Sequence, residues 1–256
     1  MSLFDVIVLI LAGLAGGVAN ALAGGGTFFT FPALLAIGLP PTVASATSAT
    51  SLWAGRLSAI VPQSRRINLR DPVIRRRITV ALLGGATGAG LLLITQERTF
   101  LFIVPWLLLI ATVNLLYARH MGALLRRLLG LRLHQGLEFL LEYLLAVYGG
   151  YFGAGLGVMT LAFYAVFTRL SPNAANALKN VITALILTIA VIIFLTAGRV
   201  NLIAALLVML GAIPGGWAGG WLAERLDPHL LRRIICVLAV CITLYYFVKI
   251  IILRAI

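Results

Sequence analysis

Acidic residues are scarce in this chain: seven Asp and Glu stand against 20 Lys and Arg, and charged side chains of both signs make up only 11% of 256 residues. Cysteine is limited to Cys236 and Cys241, both inside the last apolar segment. Their spacing suits neither a metal-ligand set nor a redox pair, and ordinary buried cysteine is expected. The three histidines fall in loops or at segment ends. A His-Glu-x-x-His pair, a Walker loop and a Ser-His-Asp order are all missing, which argues against an enzyme and against a bound metal or cofactor. The opening Met1-Ser2-Leu3-Phe4-Asp5 lacks the basic residues that begin a signal peptide, so the first apolar segment is expected to be retained.

What is present in quantity is apolar length. Hydrophobic residues make up 62% of the chain, in runs of about 20 residues, enough to cross a hydrocarbon core of roughly 30 Å at about 1.5 Å per residue. The longest polar stretches, Gln63 to Arg77 and Arg119 to Gln135, leave no room for a soluble domain. The net charge of +13 is concentrated in them: Arg65, Arg66, Arg70, Arg75, Arg76 and Arg77 in one, Arg119, Arg126, Arg127 and Arg132 in the other. No aromatic residues interleave to stack bases, so a nucleic-acid partner is not expected. Basic residues in short loops beside apolar segments mark the cytoplasmic side and meet anionic lipid headgroups.

The chain is a duplication. Lining up Leu39 with Leu170 sets a shift of 131 residues that also places Pro41 on Pro172, Ala44 on Ala175, Ala46 on Ala177, Gly26 on Gly157 and Gly84-Gly85-Ala86-Thr87-Gly88 on Gly215-Gly216-Trp217-Ala218-Gly219. Apolar segments are expected at 3–22, 27–38, 42–62, 78–96 and 99–118, and at 136–155, 157–168, 173–197, 201–223 and 229–253. The expectation is an all-α polytopic membrane protein of two homologous halves, each of about five segments: 1–118 as first repeat, 119–135 as basic cytoplasmic linker and 136–256 as second repeat. The second segment of each half is short and lies between a glycine tract and a proline-bearing turn, the strongest pointer in a sequence to a transport site. If those short segments cross, the halves are inverted repeats; if they dip in and return, each half has four crossings and the halves are parallel. Inversion puts Arg169, Arg225, Arg232 and Arg233 inside against Arg199, Lys249 and Arg254 outside, and is the arrangement favoured by charge. Gly84, Gly85, Gly88, Gly215, Gly216 and Gly219 are assigned to helix packing. Pro62 and Pro72, with Asn68 and Asp71, are taken to mark the first cytoplasmic loop and to stop the helices around it.

Candidate binding residues fall on matching segments. After Pro41, Thr47, Ser48 and Ser51 share about a third of the helix circumference, with Ser45 beside them. After Ser171-Pro172, Asn173, Asn176, Lys179 and Asn180 occupy a similar arc, and the duplication pairs Ser45 with Asn176 and Ser48 with Lys179. Hydroxyls on one side, with amides and a fixed cation on the other, make a cradle for a small oxyanion. The glycine tracts allow an unwound backbone, so the N–H groups of Gly24, Gly25, Gly26 and Thr27, and of Gly155 to Gly157, can point at an anion; a tight helix-to-helix turn is the competing reading. Asn20 is a further polar candidate. Arg56 stands near the basic end of its segment and reads as structural. Glu142, one turn beyond Glu138, is the candidate for proton coupling, because a carboxylate inside a membrane can bind and release a proton.

The tract Ala23-Gly24-Gly25-Gly26-Thr27, followed by Phe31-Pro32-Ala33-Leu34, Gly38-Leu39-Pro40 and Ala44-Ser45-Ala46-Thr47-Ser48, resembles the signature of the TauE/SafE sulfite exporter family, the TSUP permeases. The second half departs from that pattern: Gly155-Leu156-Gly157 stands where the family repeats its glycine run, Phe163 replaces the proline matching Pro32, and Lys179 stands opposite Ser48. The resemblance implies a secondary transporter of the bacterial inner membrane, moving small sulfur-containing anions such as sulfite, thiosulfate, sulfoacetate or other sulfonates. The partners expected are that anion and the lipid bilayer, with coupling to protons resting on Glu142 alone. A passive anion channel and an uptake permease for an organic anion are the alternatives.

Overall fold

A computed structural model of the chain describes residues 1–64, 70–129, 135–168, 170–225 and 228–252. In chain order its α-helices are α1 (Leu3–Ala23), α2 (Thr27–Ala36), α3 (Pro41–Ser64), α4 (Pro72–Ile94), α5 (Glu97–Leu129), α6 (Gln135–Tyr151), α7 (Leu156–Phe167), α8 (Pro172–Thr196), α9 (Leu202–Arg225) and α10 (Pro228–Phe247), closed by a π turn at Val248–Ile252. The described residues contain no strand. Among the described residues six helices are long and apolar enough to cross a membrane, while α2 and α7 have only 10 and 12 residues. The protein is an all-α, multi-pass membrane protein, and a short helix stands second both in α1 to α5 and in α6 to α10.

Helix starts follow local chemistry. Ser2 and Asp5 form a reciprocal cap on α1, with the Ser2 N–H donating to Asp5 at 2.7 Å and the Asp5 N–H donating to the Ser2 hydroxyl at 3.2 Å. Asp71 accepts from the Val73 N–H at 2.8 Å, and Pro72 occupies the first turn. Asp71-Pro72 is therefore a start signal rather than a stop, because proline costs nothing where no N–H is needed. That corrects the expected segment at 78–96: Arg75, Arg76 and Arg77 belong to α4, not to a loop. α3 likewise runs to Ser64, past Pro62, and α5 continues to Leu129, well past residue 118. Arg65, Arg66, Asn68, Arg132, His134, Arg169 and Arg254 lie outside the described residues. Cys236 is buried as expected, but Cys241 is exposed.

The halves are joined by helices packed backbone to backbone. Along α1 and α9, a methyl group on Gly13 would lie 2.1 Å from the Val208 carbonyl oxygen, on Gly17 2.3 Å from that of Ala212, on Gly211 2.0 Å from that of Ile10, and on Gly215 2.2 Å from that of Leu14. The α4–α6 pair repeats the pattern, with Gly88 against the Val147 carbonyl at 2.1 Å and Gly150 against that of Gly85 at 2.2 Å. Within each pair the helices run in the same direction, since Ile10, Leu14 and Val18 meet Gly211, Gly215 and Gly219 in order. Gly216 is the exception among the glycines assigned to packing: a methyl there would meet nothing within 4 Å. Elsewhere between the halves, the hydroxyls of Thr112 and Thr243, 131 residues apart and thus equivalent, share a 2.8 Å hydrogen bond between α5 and α10. Trp53 of α3 donates to Thr188 of α8 at 2.9 Å.

Within the first half, α2 folds back along α1, placing Thr30 and Gly26 against Gly16, and runs opposite to α3, with Gly26 beside Leu52 and Thr30 beside Ser48. Thr42 donates its N–H to Glu97 at 2.8 Å and its hydroxyl to the same carboxylate, which ties the start of α3 to the start of α5. Phe31 anchors α2 in the core, edge-on to Phe152 at 5.4 Å and to Phe100 at 6.2 Å between ring centroids. The outer surface stays apolar, with Trp217 80% exposed and Ile94 78% exposed, as expected of side chains that face acyl tails.

Gly215→Ala is expected to lower stability by about 1–3 kcal/mol through overpacking against Leu14. Gly216→Ala should stay within about 0.5 kcal/mol of the parent. Thermal unfolding of the two purified variants in detergent checks both.

Candidate functional site

The two glycine tracts meet each other. Gly24 takes a left-handed conformation, φ +66°, at the end of α1, and Gly155 does the same, φ +69°, before α7. A side chain is strained at those two positions, whereas Gly26 has an ordinary helical φ of −56°. A methyl on Gly24 would stand 3.3 Å from the Gly157 Cα and 3.4 Å from its nitrogen. The α1–α2 turn of one half thus rests on the α6–α7 turn of the other.

The backbone donors divide into two sets. Gly24 and Gly25 give their N–H groups back to the end of α1, at Asn20 O (3.0 Å) and Ala19 O (3.3 Å), a helix-closing pattern. Those of Gly26 and Thr27, at the start of α2, have no partner among the described residues, and the same holds for Gly155 and Gly157 at the start of α7. First-turn N–H groups of a helix have no partner within it and carry partial positive charge.

One cation reaches the junction, and a second stands near it. Arg56 of α3 donates from Nη2 to the Asn20 side-chain oxygen at 2.8 Å, and its Nη1 lies 4.0 Å from where a methyl on Gly157 would be. Its Nε is buried without a partner. Lys179 of α8, half-buried, is near enough to Arg56 for the two charges to repel. Neither has a carboxylate: the ion pairs among the described residues are those of Arg77 with Glu138 and Glu142. Arg56 therefore has both a structural contact, to Asn20, and a guanidinium edge directed at the Gly157 turn.

The other candidates are placed as follows. Asn180 is half-buried beside Lys179, while Asn173 and Asn176, nearer the start of α8, are exposed. Thr27, Ser45, Thr47, Ser48 and Ser51 are all buried. Thr47 accepts from the Asn201 N–H at 3.1 Å and so fastens the start of α9. Ser51 donates to the Ser48 carbonyl at 2.9 Å, and the Ser48 hydroxyl pairs at 2.6 Å with Thr30, which in turn donates to Gly26 O at 3.3 Å. The hydroxyl face of α3 therefore faces α2 and α9, with Ser48 bonded through Thr30 to the first glycine turn. Glu142 lies apart from the junction, on α6, bonded to Arg77 at 2.7 Å and to Tyr164.

A duplicated, all-helical membrane body of this kind defines a class, the multi-pass membrane transporters. The chain belongs to the sulfite exporter TauE/SafE family, whose profile matches residues 9–246. It is similar to a probable membrane transporter protein of Haemophilus influenzae, 29% identical over 245 residues that cover 92% of each chain. It is also similar to the probable membrane transporter protein YfcA of Escherichia coli K12, 25% identical over 236 residues that cover 91% of this chain and 86% of the relative. These relatives are named as transporters, not enzymes. No solved structure matches the chain.

Asn20→Ala removes the acceptor that holds Arg56, and leaving a buried charged donor short of a partner is expected to cost about 1–3 kcal/mol. Thr47→Val, which removes one neutral acceptor, should cost about 1 kcal/mol. Denaturation of the purified variants, compared with Gly216→Ala as a neutral reference, checks the ranking.

Proposed function

We propose that the protein is a secondary transporter that exports small sulfur-containing anions such as sulfite, thiosulfate, sulfoacetate or other sulfonates across the bacterial inner membrane by alternating access. The observation that carries this reading is Arg56, a cation with no carboxylate among the described residues, set against the Gly157 turn, with Lys179 of α8 near enough to add its charge. A charge within a membrane costs several kcal/mol unless it is paired or hydrated. An oxyanion offsets both charges at once, and its several oxygens suit the Arg56 fork, the Lys179 ammonium and the open N–H groups of Gly26, Thr27 and Gly157. Ser48, Asn173, Asn176 and Asn180 are assigned to the same site.

The halves are read as inverted repeats. Three placements support this: α2 runs against both α1 and α3, Thr42 brings the start of α3 to the α4–α5 corner, and α1 runs with α9 while α4 runs with α6. The backbone contact between Gly24 and Gly157 favours a carrier, which must move to pass its substrate, over an open pore.

Lys179→Met keeps the apolar stem and should weaken anion binding by about 1–3 kcal/mol, the worth of a charge-assisted hydrogen bond. Lys179→Arg should retain part of the affinity. Asn20→Asp is the sharper variant: a carboxylate beside Arg56 should preserve the fold while suppressing binding, because it occupies the positive charge the substrate needs. Calorimetry and thermal shift with sulfite, thiosulfate and sulfoacetate measure all three. Binding by Lys179→Met and Asn20→Asp as tight as the parent's would remove both cations from the site. Saturable counterflow of a labelled anion in proteoliposomes separates the carrier from a channel.

A further inference from the structure

The charged cluster around Glu142 is not among the groups assigned to the anion site. Glu142 is 2% exposed, and different helices engage its two oxygens. Oε2 accepts from Arg77 Nη1 of α4 at 2.7 Å, and Oε1 accepts from the Tyr164 hydroxyl of α7. Arg77, 4% exposed, also reaches Glu138, one turn earlier on α6, at 3.4 Å. Two carboxylates therefore share one guanidinium, and the cluster holds one negative charge more than it balances. No other ion pair reaches either carboxylate among the described residues: Arg76 is stacked on the Phe139 ring, 4.1 Å from its centroid, and Lys179, the ionisable side chain of α8, is near Arg56. The Glu138 side chain is 20% exposed and meets water, whereas that of Glu142 is 3% exposed and depends on a guanidinium it shares, and a buried carboxylate in that position is neutralised at least cost by a proton.

The duplication supplies a control within the same molecule. At the shift of 131 residues, Glu138, Glu142, Tyr164 and Arg77 fall opposite Ile7, Leu11, Ala33 and Val208. The α1–α9 pair is joined through its glycines in the same way as α4–α6 and carries the apolar Ile7, Leu11 and Val208 at the matching positions, with Ala33 of α2 opposite Tyr164. A parallel pair of this build holds together without ions. Tyr164 adds direction: it stands about two turns beyond Gly157 on α7, the short helix whose first turn forms half of the junction.

We propose that Glu142 is a proton-binding site that couples anion transport to proton movement, with Arg77 and Glu138 holding the remaining charge in balance and Tyr164 carrying the change to α7. This rests on the anion-carrier reading above. In the step, a proton from one aqueous side adds to the Glu142 carboxylate to give the carboxylic acid, and Arg77 is left paired with Glu138. Release of the same proton to the other side restores the Arg77–Glu142 pair.

The test uses the full chain in proteoliposomes with the membrane potential clamped at zero and labelled sulfite, thiosulfate and sulfoacetate as probes. Counterflow at equal pH reports the carrier itself; absence of counterflow for all three anions overturns the anion reading and this proposal with it. With counterflow established, a gradient of one pH unit should drive about tenfold accumulation for one coupled proton. Indifference to the gradient would overturn the coupling alone. In Glu142→Gln the ratio of gradient-driven to counterflow flux is expected to fall to one, with Glu142→Asp restoring part of it; a parental ratio in Glu142→Gln overturns the assignment. If Glu142→Gln does not fold, Tyr164→Phe, which keeps the Arg77–Glu142 pair, is expected to shift the pH of half-maximal counterflow. An unmoved profile in that variant sinks the proposal.

Discussion

The structure depends on close backbone contact between helices of different halves. In lipid there is no hydrophobic force to drive one helix against another, so association must come from van der Waals contact at short range. Gly13, Gly17, Gly211 and Gly215 on one side, and Gly84, Gly88 and Gly150 on the other, bring carbonyl oxygens to positions where a Cβ would have to be. Because each pair takes one helix from each half, neither half is complete alone. The same contacts set where the two hairpin turns arrive, and hence that Gly24 rests on Gly157.

That contact explains why the charged residues lie where they do. Backbone touching backbone leaves no side-chain volume between the turns, so any polar function at the junction must come from neighbouring helices. Arg56 reaches in from α3, with Lys179 of α8 near enough to feel its charge, and Asn20 fixes the guanidinium from α1. Buried hydroxyls do the quieter work of holding α2 and α9 against α3, as Thr30, Ser48 and Thr47 show. A hydroxyl donating to a carbonyl or to another hydroxyl satisfies itself within the protein, and a substrate would have to compete with that bond.

Much of this was legible in the sequence, because a duplication constrains both halves at once. The shift of 131 residues predicts ten segments, and the ten helices follow it to within a few residues at most ends. It also carries Thr112 onto Thr243, a contact no periodicity argument would single out. Where the reading failed, it failed at charges. Arg77 looks like part of a cytoplasmic cluster because it closes a run of arginines from Arg65, and Arg75 and Arg76 are indeed exposed; its own burial follows from Glu138 and Glu142 on a helix 61 and 65 residues away. The error has one physical cause: the cost of burying a guanidinium is set by partners distant in sequence, and charge counting along the chain does not see them.

The remaining contrast is between a symmetric backbone and asymmetric charges. Arg56 falls opposite Leu187, Lys179 opposite Ser48, and Glu142 opposite Leu11, while the glycine contacts and the Thr112–Thr243 pair recur in both halves. A body of two identical halves would have two conformations of equal energy, related by exchanging the roles of the halves. Ionic groups present on one side only lift that degeneracy, because a buried guanidinium or carboxylate has different partners in each arrangement. A ligand then shifts the balance by its differential affinity for the two states and by no more than that. On this argument the glycines provide the capacity to alternate, and the unpaired charges decide which arrangement an anion or a proton selects.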